Sequence, residues 1–226
     1  MISPLVCARN NADLYDAVFR AHGLPCSRSN GIWSTTATPL PYYSSLLLLA
    51  PDSSAELLEK AHEMHERIGR TITFKDGFDI IDGAHEGLSL LFSARWIFYR
   101  GLSNARQAPW TRVHTPVQLA SWEMAWNATA PTDVRIFPDA ILADPDLAVF
   151  GLFDQGSVVA GCIANLSADC VDLSNVFGND YHAATVCAAT IASGKPVVGY
   201  ERGEDLVTAT KAGFEVVGNL KVWELN

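Results

Sequence analysis

Residues 194–223 read GKPVVGYERGEDLVTATKAGFEVVGNLKVW, and their pattern decides the fold class. Residues 195–200 are a short, Val-rich apolar run, which suits a buried strand. Arg202-Gly203-Glu204-Asp205 ends that run and puts acids where a helix would begin, in the sense the helix dipole favours. Leu206, Ala209 and Thr210 share one helical face, and Gly213 stands where a glycine commonly ends a helix. From Phe214 the period becomes two. Phe214, Val216, Leu220 and Val222 fall on one face, and Glu215, Asn219 and Lys221 on the other. Strand, helix and strand in so short a span predict a mixed sheet flanked by helices, an α+β arrangement.

Upstream, residues 147–153 and 157–165 read as strands joined by the hairpin turn Asp154-Gln155-Gly156, and residues 170–177 as a third strand. An Ala-rich helix over 181–192 is stopped by Ser193-Gly194. Nearer the start, helices are expected over 11–21 and 55–68, and strands over 32–38, 42–49, 71–74 and 89–98. Residues 101–111, rich in Gly, Ser, Asn, Gln and Pro, read as a linker. A helix then opens at Thr115-Pro116, with Leu119, Trp122 and Trp126 along one side.

The order strand, helix, Gly, strand, helix, Gly, strand occurs twice, and its opening parts, residues 46–69 and 171–194, have equal lengths. Beyond them GRTITFKDGFDII lies beside GKPVVGYERGEDLV. One inserted residue near Gly199 brings Gly77 onto Gly203, Asp79 onto Asp205 and Gly87 onto Gly213, and Trp96 and Trp223 close the two copies.

Composition narrows the classes. At 49% hydrophobic and 18% charged the chain is globular, and a net charge of −9 offers no clustered Lys and Arg for nucleic acid. No basic segment followed by an apolar core marks a signal peptide, and no apolar run is long enough to span a bilayer. Five widely spaced cysteines without a CxxC fit free thiols in a reducing cytoplasm. His62 and His65 in HEMHE lack the HExxH spacing, so no metal is expected.

The order hairpin, strand, helix, parallel strand, helix ending in Gly-Phe, last strand resembles the GNAT acyltransferase superfamily. ATKAGFEVVGNLKVW, residues 209–223, resembles that family's closing segment. The resemblance covers roughly residues 110–226. It implies a GNAT-like C-terminal domain over 105–226 and an incomplete GNAT-like half over 1–104. It further implies an N-acyltransferase that uses acetyl-CoA or another acyl-CoA and a small-molecule amine.

In that family two parallel strands splay and receive the pantetheine arm, while the next helix N-terminus takes the pyrophosphate. Here those strands are residues 171–177 and 195–200. The implied cofactor residues are Leu173, Ser174, Asn175, Val176, Phe177, Gly178, Asn179, Tyr181 and Tyr200. Ser174 and Asn175 either bind the thioester arm or bond to a neighbouring loop. Glu201 is either a general base for the amine or part of a turn with Arg202. His182 either adds positive charge at the helix start or is a surface residue. Trp122 and Trp126 either line an acceptor pocket or fill the core.

Two positions depart from the family. The loop Phe177-Gly178-Asn179-Asp180 has one glycine, no Arg or Gln, and a carboxylate where phosphate would sit. Ala209 stands where many members carry a Tyr that protonates the leaving thiolate. A ligand-binding or assembly protein with a decayed donor site therefore stays open beside the enzyme. An exposed apolar edge beside Trp223 would provide a homodimer contact.

Overall fold

A computed structural model describes residues 2–100, 107–129 and 131–226. The chain begins with α1 (Pro4–Ala21), then β1 (Cys26–Ser29), β2 (Ile32–Thr35), β3 (Leu46–Leu48), α2 (Ser54–Ile68), β4 (Ile72–Asp76) and β5 (Ser89–Tyr99). There follow β6 (Thr111–Arg112), α3 (Pro116–Asn127), β7 (Leu147–Asp154), β8 (Ser157–Leu166), β9 (Val171–Phe177), α4 (Tyr181–Ala189), β10 (Val197–Glu201), α5 (Gly203–Lys211) and β11 (Glu215–Leu225).

The eleven strands of the described residues form one sheet, in the order β1-β2-β3-β4-β11-β5-β10-β9-β8-β7-β6. The β3–β4 and β9–β10 pairs are parallel, and the other pairs are antiparallel. At the centre β5 and β11 pair with each other. β5 then pairs with β10, and β11 with β4. Each late strand thus crosses into the sheet half built by the other part of the chain. Trp223 is 7% exposed on this central strand, so it borders no exposed edge.

The helices cover both faces. α2 packs with Leu46, Leu48, Ile72 and Phe74, and α4 and α5 with Val171, Leu173 and Val197. α1 and α3 cover the opposite face, on residues such as Trp33, Leu47, Val198, Val149 and Ile163. α1 is longer than the expected 11–21, with Pro4 in its first turn, where a missing N–H costs nothing. Its buried Asn10 and Asn11 interrupt the apolar period that would have revealed it. Asn10 Nδ2 donates to Ser167 Oγ at 2.7 Å while its Oδ1 stays buried without a partner, and Lys75 Nζ donates to Asn11 Oδ1 at 2.7 Å.

Several expectations change. β1 and β6 are short strands that no alternation announced. Residues 77–88 hold turns where the second copy has α5, so Gly77, Asp79 and Gly87 do not sit on a helix. Asp79 instead pairs with Lys221 of β11 at 2.7 Å. β11 starts after Phe214, and a bulge between Val216 and Gly218 breaks the expected alternation, leaving Val216 49% exposed. The expected linker falls mainly on 101–106, outside the described residues. Among the described residues no helix is long and apolar enough to cross a membrane.

Gly199 marks where the sheet tolerates no side chain. A Cβ there would stand 2.7 Å from the Leu173 carbonyl oxygen, a backbone atom that can move only with β9. Gly199→Ala is expected to lower unfolding stability by about 1–3 kcal/mol, read from the denaturation midpoint at unchanged slope. An unchanged midpoint would show that β9 and β10 are not held at this spacing.

Candidate active site

The ladder between β9 and β10 is short. Val197 pairs with Val171 and Val198 with Asp172, and there the register ends. Beyond it β9 is diverted by a bulge: Gly161 of β8 faces Phe177, while Ile163 faces Ser174. Asn175 sits in the bulge at φ 53°, a left-handed conformation that Asn tolerates better than most residues. That explains an Asn within an apolar strand. Its Nδ2 donates to Ser174 Oγ at 3.2 Å.

The diverging strands open a cleft of about 460 Å³. Leu173, Ser174, Asn175, Val176, Gly178, Asn179, Tyr181, Tyr200 and Glu201 all line it. Phe177 does not. Its ring turns into the core against Trp122, centroids 5.3 Å apart. Trp122 is fully buried and Trp126 reaches the cleft wall, so the expected pair divides. His182 is exposed on α4, and His62 is exposed on α2. His65 is half-buried, its Nδ1 2.9 Å from the Arg70 carbonyl oxygen.

Glu201 ends β10 and turns toward α4, where the Tyr181 hydroxyl donates to its Oε1 at 3.0 Å. Burial pushes the Glu201 carboxyl up to about 7, against the pull of the Tyr181 hydrogen bond. A carboxylate at that value is suited to take a proton near neutrality. Ala209, in α5, is fully buried and offers no polar atom there.

Sequence reasoning missed the carboxylate at the splay point. Asp172 is 4% exposed, lines the cleft, and its Oδ2 has no hydrogen-bond partner. Burial pushes it up to about 7, while Ser174 and Lys75 pull it down and Asp13 pushes it further up. Lys75 of β4 lies buried nearby, its Nζ 4.3 Å from the Tyr200 ring centroid, and burial lowers it to about 7. The available signal was a charge inside an apolar strand: Asp172 in VDLSNVF and Lys75 in ITFKD. The rest of the wall comes from α1 (Asn11, Leu14, Tyr15), from Tyr42 and Tyr43, and from Glu204, Asp205 and Thr208 of α5.

At the start of α4 the Asp180 side chain accepts from the Ala183 N–H at 2.8 Å, so the helix N-terminus carries its own carboxylate. The parallel pair β3–β4 also has only two register pairs, but the space beyond it is filled. Trp96 Nε1 donates to the Gly77 carbonyl at 2.7 Å, and Ala8 of α1 packs against the same glycine.

No family model and no curated protein sequence matches the chain. Solved structures do. A GCN5-related N-acetyltransferase from Kribbella flavida matches with TM-score 0.58 at 11% identity, over 97% of this chain and 95% of its own. The chain has the GNAT fold. A functionally unknown conserved protein from Staphylococcus epidermidis matches this chain with TM-score 0.60 at 9% identity, over 89% of this chain and 93% of that one. N-myristoyltransferase from Saccharomyces cerevisiae, solved with bound myristoyl-CoA, matches with TM-score 0.51 at 9% identity, over 79% of this chain and 56% of its own.

The raised Asp172 carboxyl has a consequence for stability. Folded Asp172 keeps its proton up to about 7, whereas the unfolded group loses it near the ordinary 3.8. Between those values the folded chain binds more protons, so this group's contribution to stability falls as pH rises. Lys75 acts in the opposite sense and at higher pH, between about 7 and 10.5. Asp172→Asn is expected to gain stability relative to the parent as pH rises from about 4 to about 7, followed by urea melts across that range. A pH-independent difference would mean that the carboxylate is not desolvated.

Proposed function

We propose that the protein is an acyl-CoA-dependent N-acyltransferase, moving an acetyl or longer acyl group from a CoA thioester to a small-molecule amine. The observation that carries this reading is the early end of the β9–β10 ladder, which opens a cleft containing the half-buried Glu201 carboxyl. Backbone groups of residues 173–177 and 199–201 face each other without a ladder, which suits an amide-bearing pantetheine arm. The amine nitrogen attacks the thioester carbonyl carbon, the C–N bond forms as the C–S bond breaks, and CoA leaves as a thiolate that takes a proton from solvent. Glu201 takes the proton that the attacking amine releases, and the Tyr181 hydroxyl orients that carboxylate. The matching solved acetyltransferase and the myristoyl-CoA-bound structure support the same class. Five free cysteines favour a reducing cytoplasm as its compartment. The β–α–β order around α2 and again around α4 supports two related halves, residues 1–104 and 105–226.

A second reading rests on a specific feature. The α4 N-terminus is already capped by Asp180, and no Lys or Arg lines the cleft among the described residues. These groups fit a thioester arm but not a pyrophosphate, because the helix dipole's anion site is occupied by the protein's own carboxylate. They favour a ligand-binding or assembly protein whose donor site has decayed.

One measurement separates the two. Acetyl-CoA at 100 times its Kd adds about 2.7 kcal/mol of stability, visible as a raised melting temperature. No shift at millimolar acetyl-CoA or CoA would remove the transferase reading and leave the second. If transfer occurs, its rate is expected to rise as pH passes about 7 and Glu201 ionises. Glu201→Gln is then expected to lower the rate by about 10²- to 10⁴-fold and to abolish that rise.

A further inference from the structure

We propose that the part of the cleft between α1, α3 and β9 is a subsite for a primary amine with a flat aromatic body, its ammonium on Asp172 and its ring against Tyr42, Tyr43 and Trp126. Naming this ligand the acyl acceptor rests on the acyltransferase reading. Its binding does not.

Asp172 supplies the first argument. A buried carboxylate is strongly disfavoured unless a cation or donor meets it, yet Asp172 lines the cleft and its buried Oδ2 has no partner. The neighbouring cation is committed elsewhere: Lys75 donates to Asn11 Oδ1 at 2.7 Å and lies over the Tyr200 ring. The charged and titratable groups that feel Asp172 are Lys75, Asp13, Glu201, Tyr43, Tyr181, Tyr200, Cys7 and Cys170. Lys75 is the one cation among them. A ligand ammonium would complete the carboxylate's coordination with a charge-assisted hydrogen bond.

Tyr42 supplies the second. It is 57% exposed and held at φ 70°, a conformation rare for a bulky residue, and such outliers gather at ligand sites. Two contacts hold it there. Its hydroxyl donates to the Pro131 carbonyl at 2.8 Å, and its ring meets Trp126 edge-on at 5.7 Å. Tyr43 packs edge-on against Tyr15 at 4.6 Å on the same wall. Aromatic walls around an acid select a cation with an apolar body rather than an anion, and the lining, with Glu204 and Asp205 and no Lys, Arg or His among the described residues, repels anions further.

The test is calorimetric binding of phenethylamine, phenethyl alcohol and cadaverine to the whole protein in mildly alkaline buffer, with and without CoA. Phenethylamine is expected to bind at least about tenfold more tightly than the alcohol, which lacks the charge, and than cadaverine, which lacks the ring. Asp172→Asn is expected to erase the preference for amine over alcohol. Tyr42→Ala is expected to weaken both aromatic ligands alike. Equal binding of amine and alcohol, a preference that survives D172N, or cadaverine as tight as phenethylamine would overturn the proposal. So would no binding under either condition. If D172N fails to fold, the amine-to-alcohol ratio in the parent protein decides. No readout needs an acyl donor. Amine binding without a CoA-induced thermal shift removes the transferase reading and leaves this subsite, and a CoA shift without amine preference does the reverse.

Discussion

Backbone pairing between β5 and β11 is the constraint on which the other elements depend. Each strand is eleven residues long, each is antiparallel to the other, and each has its second partner in the other half of the sheet. Because β5 lies against β10 and β11 against β4, neither half can complete its sheet alone. The exchange fixes where β10 lies and therefore where β9 must leave it. The cleft is an outcome of that geometry together with the bulge at Asn175, which turns β9 away just after Asp172.

The same geometry creates two places where parallel strands part, and side-chain size decides their fates. Beyond β3 and β4 an indole from β5 and the start of α1 occupy the gap, and the Trp96 N–H satisfies the Gly77 carbonyl. Beyond β9 and β10 the corresponding volume is left open and lined by polar atoms. One opening contributes packing and the other a site. The difference arises from what reaches each gap, since the strand arrangement around them is alike.

Much of the fold was legible because its signals are local. The run before Arg202, the helix capped by Gly213, the hairpin at Gln155-Gly156 and the amphipathic α2 all appear where the residue pattern puts them. The pattern failed where tertiary contacts outweigh it. Asn10 and Asn11 look solvent-exposed in sequence but are buried against Ser167 and Lys75, and residues 77–88 form turns in which Asp79 pairs with Lys221. At the site, the residues that the family resemblance implies on 173–176, 178, 179 and 181 do line the cleft, and Phe177 does not. Tyr42, Tyr43 and Asn11 were not legible as site residues, since they reach the cleft from distant parts of the chain and only the folded sheet brings them together. Asp172 was visible as a charge within an apolar strand, but its lack of a partner is a property of three dimensions.

The exchanged strands also bear on the order in which the molecule can assemble. Ile72 of β4 meets Leu225, and Tyr99 of β5 meets Val197, so contacts that close the sheet span a large fraction of the chain. Loop-closure entropy makes such pairings slow to form. Until β11 arrives, β4 presents an open hydrogen-bonding edge, and until β10 arrives so does β5. Both edges can template pairing with another molecule. The interval between synthesis of the first half and docking of the last strand is therefore the period in which this protein is most exposed to misassembly, including exchange of β11 between two chains.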